Sequence, residues 1–105
     1  MKQLALKHPA VAGTLESSDI QIMLDLNDQP GISLDLKSSV INQYGRQIQH
    51  VILTTLEKLQ IKQAKITAVD KGALDCTIAA RVISAVHRAA DAAEYDWEAF
   101  DQWND

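Results

Sequence analysis

Two apolar periods divide the chain, and their order limits the folds open to it. Ile20, Ile22, Leu24 and Leu26 alternate with Gln21, Met23 and Asp25, and Ile32, Leu34 and Leu36 alternate with Ser33, Asp35 and Lys37. A two-residue period puts one row of side chains on a buried face, so both stretches are expected to be strands. From Val40 onward the spacing changes. Val40, Ile41, Tyr44, Ile48, Val51, Ile52, Thr55, Leu56 and Leu59 recur every three or four residues, which predicts a long amphipathic helix. Ser38 and Ser39 are candidate N-caps for it. Asn27-Asp28-Gln29-Pro30-Gly31 reads as a turn, with Pro setting one dihedral and Gly supplying a positive one. Ala10 to Leu15 is expected as a short first strand, and the three strands as an antiparallel meander with one apolar face. Gly45 costs about 1 kcal/mol relative to Ala in a helix interior, and close packing against the sheet is the reading offered for it.

Ile61 to Val69 returns to strand chemistry. Asp70-Lys71-Gly72 is expected to close a hairpin whose second arm has Leu74, Cys76 and Ile78 on its apolar side. From Ala79-Ala80 the pattern is helical again, with Val82, Ile83, Val86, Ala89, Ala90 and Ala93 along one stripe. The expected order is strands, helix, hairpin, helix. This implies an α+β two-layer sandwich, with a mainly antiparallel sheet, one long central helix and a C-terminal helix. A chain of 105 residues with 47% hydrophobic content suits one core. The expected division is a domain over 1–93 and an acidic aromatic tail over 94–105.

Charge is unevenly spread. All ten Lys and Arg lie between Lys2 and Arg88, whereas Asp91, Glu94, Asp96, Glu98, Asp101 and Asp105 follow with no base among them. The tail also holds Tyr95, Trp97, Phe100 and Trp103, a composition read as docking on a partner, with docking on its own domain as the competing reading. No basic stripe interleaved with aromatics is present, so no nucleic-acid partner is expected. Apolar runs are too short to span a bilayer, and no secretory signal is visible. The single cysteine fits a reducing cytoplasm.

Polar groups gather without an obvious packing reason at Gly13-Thr14-Leu15-Glu16-Ser17-Ser18-Asp19. Short polar side chains here favour a turn, because they hydrogen-bond nearby backbone. A serine at such a tip offers its hydroxyl to solvent and to other proteins. The Pro9–Asp19 run, with Ala-Gly-Thr-Leu-Glu-Ser at its centre, and Asp70-Lys71-Gly72-Ala73-Leu74-Asp75-Cys76 together resemble the acyl carrier (γ) subunit of citrate lyase. The resemblance extends from about Pro9 to Ala89-Ala90.

The resemblance implies that the serine after the Leu-Glu pair, Ser17, is the attachment residue. It would carry covalently attached 2'-(5''-triphosphoribosyl)-3'-dephospho-coenzyme A, held as a phosphoribosyl dephospho-coenzyme A through a phosphodiester. Many members have Gly where this chain has Ser18, so two hydroxyls are adjacent here and Ser18 is the lesser candidate. The implied partners are the citrate lyase α and β subunits, a prosthetic-group transferase and an acetate-activating ligase. In that scheme acetyl on the prosthetic thiol is exchanged for citryl by α, and β cleaves the citryl thioester. Citrate becomes oxaloacetate and acetate, and the chain itself is a carrier and not an enzyme. The acyl carrier of malonate decarboxylase is a related alternative; an unmodified protein-interaction module is one from another class. Phosphopantetheine carriers place an Asp-Ser-Leu motif at a helix start, and this chain has none.

Other polar residues have simpler expectations. Glu16 and Asp19 either recognise basic patches on partners or solvate and cap the turn. Gly13 permits a bend before the tip or marks a weak strand. Cys76 is expected in the core as a small hydrophobe. His8, His50 and His87 have no paired-ligand spacing, so no metal is expected, and His50 and His87 are placed near the solvent boundary.

Overall fold

The computed structural model describes residues 6–90, so the expected tail at 94–105 lies outside the described residues. The elements run β1 (Ala10–Ala12), β2 (Ile20–Asp25), β3 (Gly31–Ser38), α1 (Ile41–Lys58), β4 (Gln63–Asp70) and α2 (Asp75–Ala89). Alternation in β2 sends Ile20, Ile22 and Leu24 inward, and in β4 sends Ala64, Ile66 and Ala68 the same way. Those rows meet Ile48, Ile52 and Leu56 of α1 and Ile78, Val82 and Val86 of α2 in one buried cluster. The α+β sandwich expected from the two periods is what forms.

The meander is not. Strand order is β1-β2-β4-β3, so β4 lies between β2 and β3. β1 pairs antiparallel with β2, and β2 with β4, whereas β3 runs parallel to β4 from Gly31 opposite Gln63 to Ser38 opposite Asp70. The physical reason is the helix between them. An 18-residue α1 is about 27 Å long, close to the length of an eight-residue strand. It therefore returns the chain to the start of β3 and lays β4 alongside in the same direction.

The expected hairpin arm at Leu74, Cys76 and Ile78 is the first turn of α2 instead. Leu74 and Ile78 fit both a strand row and an i, i+4 helical pair, and only Cys76 separates the two patterns. Ile78 is buried, Leu74 is exposed, and Cys76 is exposed and so not in the core. It lines a groove of about 490 Å³ between α1 and α2, beside His50, Thr54 and Lys58. His87 also departs from expectation: it is buried, with Nδ1 2.9 Å from the Ile83 carbonyl one turn back. His50 is exposed.

Helix α1 begins with Val40 at the N-cap and no side-chain cap. Ser38 acts earlier, its hydroxyl accepting the Val40 N–H and donating to Asp70. Gly45 is buried, and a Cβ there would approach the tip of Ile41 in the same helix at 3.0 Å, so its crowding comes from its own helix and not from the sheet. Because Ile41 is 42% exposed, its tip can move aside. Gly45→Ala is therefore expected to stabilise the fold by about 0.5 kcal/mol, read as a thermal midpoint a few degrees higher. A lower midpoint would show that Ile41 cannot yield.

Candidate functional site

The polar loop Gly13–Asp19 joins β1 to β2 and is held at both ends. β1 stops at Ala12, short of the expected Leu15, because Gly13 turns the chain with φ +87. A Cβ at Gly13 would lie 1.8 Å from the Ile20 carbonyl oxygen, so the two sides of the loop base meet backbone to backbone. Within the loop, Thr14 Oγ1 accepts the Glu16 N–H at 3.2 Å, and the Asp19 N–H donates to the Glu16 carbonyl at 3.2 Å. Ser18 has φ 66, a left-handed conformation that costs a serine about 1 kcal/mol and that glycine adopts freely.

Asp19 is the anchor. Its carboxylate accepts Thr14 Oγ1–H at 2.7 Å, the Ile20 N–H at 2.7 Å, and a two-point contact from Arg81, Nε at 3.0 Å and Nη2 at 3.1 Å. The Arg81 guanidinium, then the Thr14 hydroxyl, hold this carboxyl far below the usual carboxylate range, against the opposing pull of burial. Asp19 is only 9% exposed: it caps the turn from within, as one of its two expected roles required, and its charge is paired with Arg81. Of the two flanking acids only Glu16 is exposed.

The second motif is brought against the first. Ser18 N–H donates to the Lys71 carbonyl and Lys71 N–H to the Asp19 carbonyl, both at 2.8 Å. Asp70, 1% exposed, holds that second turn in shape: its carboxylate accepts Ser38 Oγ–H at 2.8 Å and the Gly72 and Ala73 N–H groups at 3.1 and 3.0 Å. One buried aspartate per turn thus fixes the two turns, and backbone bonds join them.

Ser17 stands exposed on this braced loop, as does Ser18. Among the described residues the Ser17 hydroxyl has no hydrogen-bond partner. Ser17 leaves room for a covalently attached group, being exposed, and a cationic residue, Lys71, belongs to the adjoining turn. Arg81 escaped the sequence reading because it lies 62 residues from Asp19; its only signal is a charged residue interrupting the apolar run of α2.

A family model and curated relatives both match as acyl carriers, and a solved structure matches in fold. The acyl carrier family described as the malonate decarboxylase delta subunit matches residues 7–89. The chain is 56% identical to the citrate lyase acyl carrier protein of Streptococcus mutans, over 94% of this chain and 97% of the relative. It is 54% identical to the protein of the same name from Streptococcus equi subsp. equi, over 96% of this chain and 99% of the relative. In fold it is similar to a chain in the crystal structure of a Pseudomonas malonate decarboxylase hetero-tetramer in complex with malonate. That likeness has a TM-score of 0.70 at 22% identity, over 83% of this chain and 89% of the other.

Proposed function

Because the chain belongs to the citrate lyase acyl carrier protein family, we propose that it is the carrier subunit of a citrate lyase and that Ser17 is its attachment residue. The observation that carries this reading is the exposed Ser17 hydroxyl, unpartnered among the described residues, on a loop clamped at both ends. The group proposed for Ser17 is the phosphoribosyl dephospho-coenzyme A, and when attached it supplies a terminal thiol that takes acetyl and citryl groups as thioesters.

The residues of this chain do mechanical work. Asp19 and Arg81 keep the loop base from shifting, and the Ser18–Lys71 backbone pair keeps the tip from folding back onto the sheet. Ser17 gives the arm a rigid origin, so its reach is spent between active sites. Tethering then raises the local concentration of the acyl group at each partner. In this proposal the α and β subunits perform acyl exchange and cleavage, a transferase attaches the arm and a ligase acetylates it. A malonate decarboxylase carrier is the nearest alternative, and relatives at more than half identity carry the citrate lyase name instead.

The test is intact mass after incubation with the purified transferase and the triphosphoribosyl nucleotide. The wild-type chain is expected to gain one prosthetic group. Ser17→Ala is expected to gain none, and Ser18→Gly to load normally, because glycine suits the positive φ at that position. Loading of Ser17→Ala together with failure of Ser18→Gly would move the attachment to Ser18.

A further inference from the structure

We infer that Lys71 is the cation that receives the phosphate charge at the Ser17 tip, an inference that rests on Ser17 being the attachment residue. Two 2.8 Å backbone hydrogen bonds, Ser18 N–H to the Lys71 carbonyl and Lys71 N–H to the Asp19 carbonyl, tie the two turns together. They set the Lys71 backbone beside the neighbour of Ser17. An ammonium on a flexible four-carbon stem can then reach over the tip.

Charge at the tip favours this role. Glu16 and Asp19 are its acids, and Arg81 already spends its guanidinium on Asp19 through two contacts of 3.0 and 3.1 Å. Lys71 is exposed and makes no ion pair among the described residues. A phosphodiester on Ser17 adds a full negative charge next to exposed Glu16. Within the two tied turns Lys71 is the cation left to offset it, and an ammonium binds phosphate well as a point charge.

The same contact serves the attachment step. The Ser17 Oγ–P bond forms as the bond from that phosphorus to pyrophosphate breaks, and the hydroxyl proton passes to a base of the transferase. Negative charge on the phosphate chain is greatest before pyrophosphate leaves, so a cation beside Ser17 both draws in the donor and holds the product.

Loading rates by intact mass test the inference on the full chain, using purified transferase and the triphosphoribosyl nucleotide. Lys71→Met is expected to load about fivefold more slowly than wild type, the upper range for an exposed charge pair. Lys71→Arg should restore most of the rate, and Lys62→Met, at an exposed lysine outside both turns, should match wild type. The second readout is the phosphorus NMR resonance of the loaded proteins: the serine phosphodiester signal is expected to shift between wild type and Lys71→Met. Slow loading with an unmoved resonance would assign Lys71 to a transferase contact and overturn the proposal, as would normal loading of Lys71→Met. If wild type gains no mass, or Ser17→Ala gains it, the Ser17 assignment fails and this inference with it. Loading at Ser17 with no effect at Lys71 overturns the Lys71 contact alone.

Discussion

Gly13→Ala is expected to cost about 3–5 kcal/mol of folding stability, a large share of what a domain of this size has. Two costs combine. The first is backbone strain, since φ +87 is a conformation that L side chains rarely adopt, worth about 1–2 kcal/mol. The second is steric. The new methyl would stand 1.8 Å from the Ile20 carbonyl oxygen, 3.0 Å from its carbon and 3.3 Å from Arg81 Cδ. Neither Ile20 atom can rotate away, because both belong to the first residue of the central strand β2, where Ile20 is paired with Asp70. Relief requires the loop base to open, and opening it pulls Asp19 from Arg81. Gly31→Ala is the control: it has φ +100 but nothing within 4 Å of the added carbon, so only strain remains. Urea unfolding of the two variants separates the contributions, with the Gly13 variant expected to lose at least about 2 kcal/mol more. Equal losses would mean that the loop base is not closed against Ile20.

The parts of this fold readable in the sequence are those set by one element alone. The alternation of Ile20, Ile22 and Leu24 needs only a strand with one buried face, and the spacing from Ile41 to Leu59 only a helix with one. Sheet order was not readable, because alternation is the same whether Ile22 neighbours β3 or β4. A helix as long as α1 between two strands was the available clue to parallel pairing. Leu74 and Ile78 misled because four residues is both two strand repeats and one helical turn. What resolved them was the diversion of the chain by Asp70, whose carboxylate takes the Gly72 and Ala73 amides. At the site, the exposed serine was legible from an uninterrupted polar run. Its support was not, since Asp19 and Arg81 meet only after β1, β2 and α2 have packed. An aspartate readable only as a partner contact or a turn cap is a cap and also the buried half of a long-range ion pair.

That ion pair yields the second large effect, and its dependence on pH has a definite sign. Asp19→Ala is expected to cost about 3 kcal/mol at neutral pH, because it leaves the Ile20 amide and the Thr14 hydroxyl without their acceptor and strips Arg81 of its partner. Arg81 regains some hydration, since its side chain is 39% exposed, and this keeps the loss below that of a fully buried pair. The folded carboxyl titrates below its ordinary value of 3.8. A group depressed in this way contributes stability that is complete above the unfolded value and is lost as pH falls through the folded one. The gap between wild type and Asp19→Asn should therefore be constant from about pH 5 upward and narrow steadily under more acid conditions. Arg81→Gln should behave like Asp19→Asn, and the double variant should lose about 1 kcal/mol or more less than the sum of the two. Loss of the clamp also frees the tip, so the Ser18 and Lys71 amides, whose bonds join the two turns, should exchange with solvent faster in Asp19→Asn while the amides of β4 change little. A gap that widens toward acid, or single losses that simply add, would mean that Asp19 and Arg81 do not act as one unit, and Ser17 would then need some other foundation.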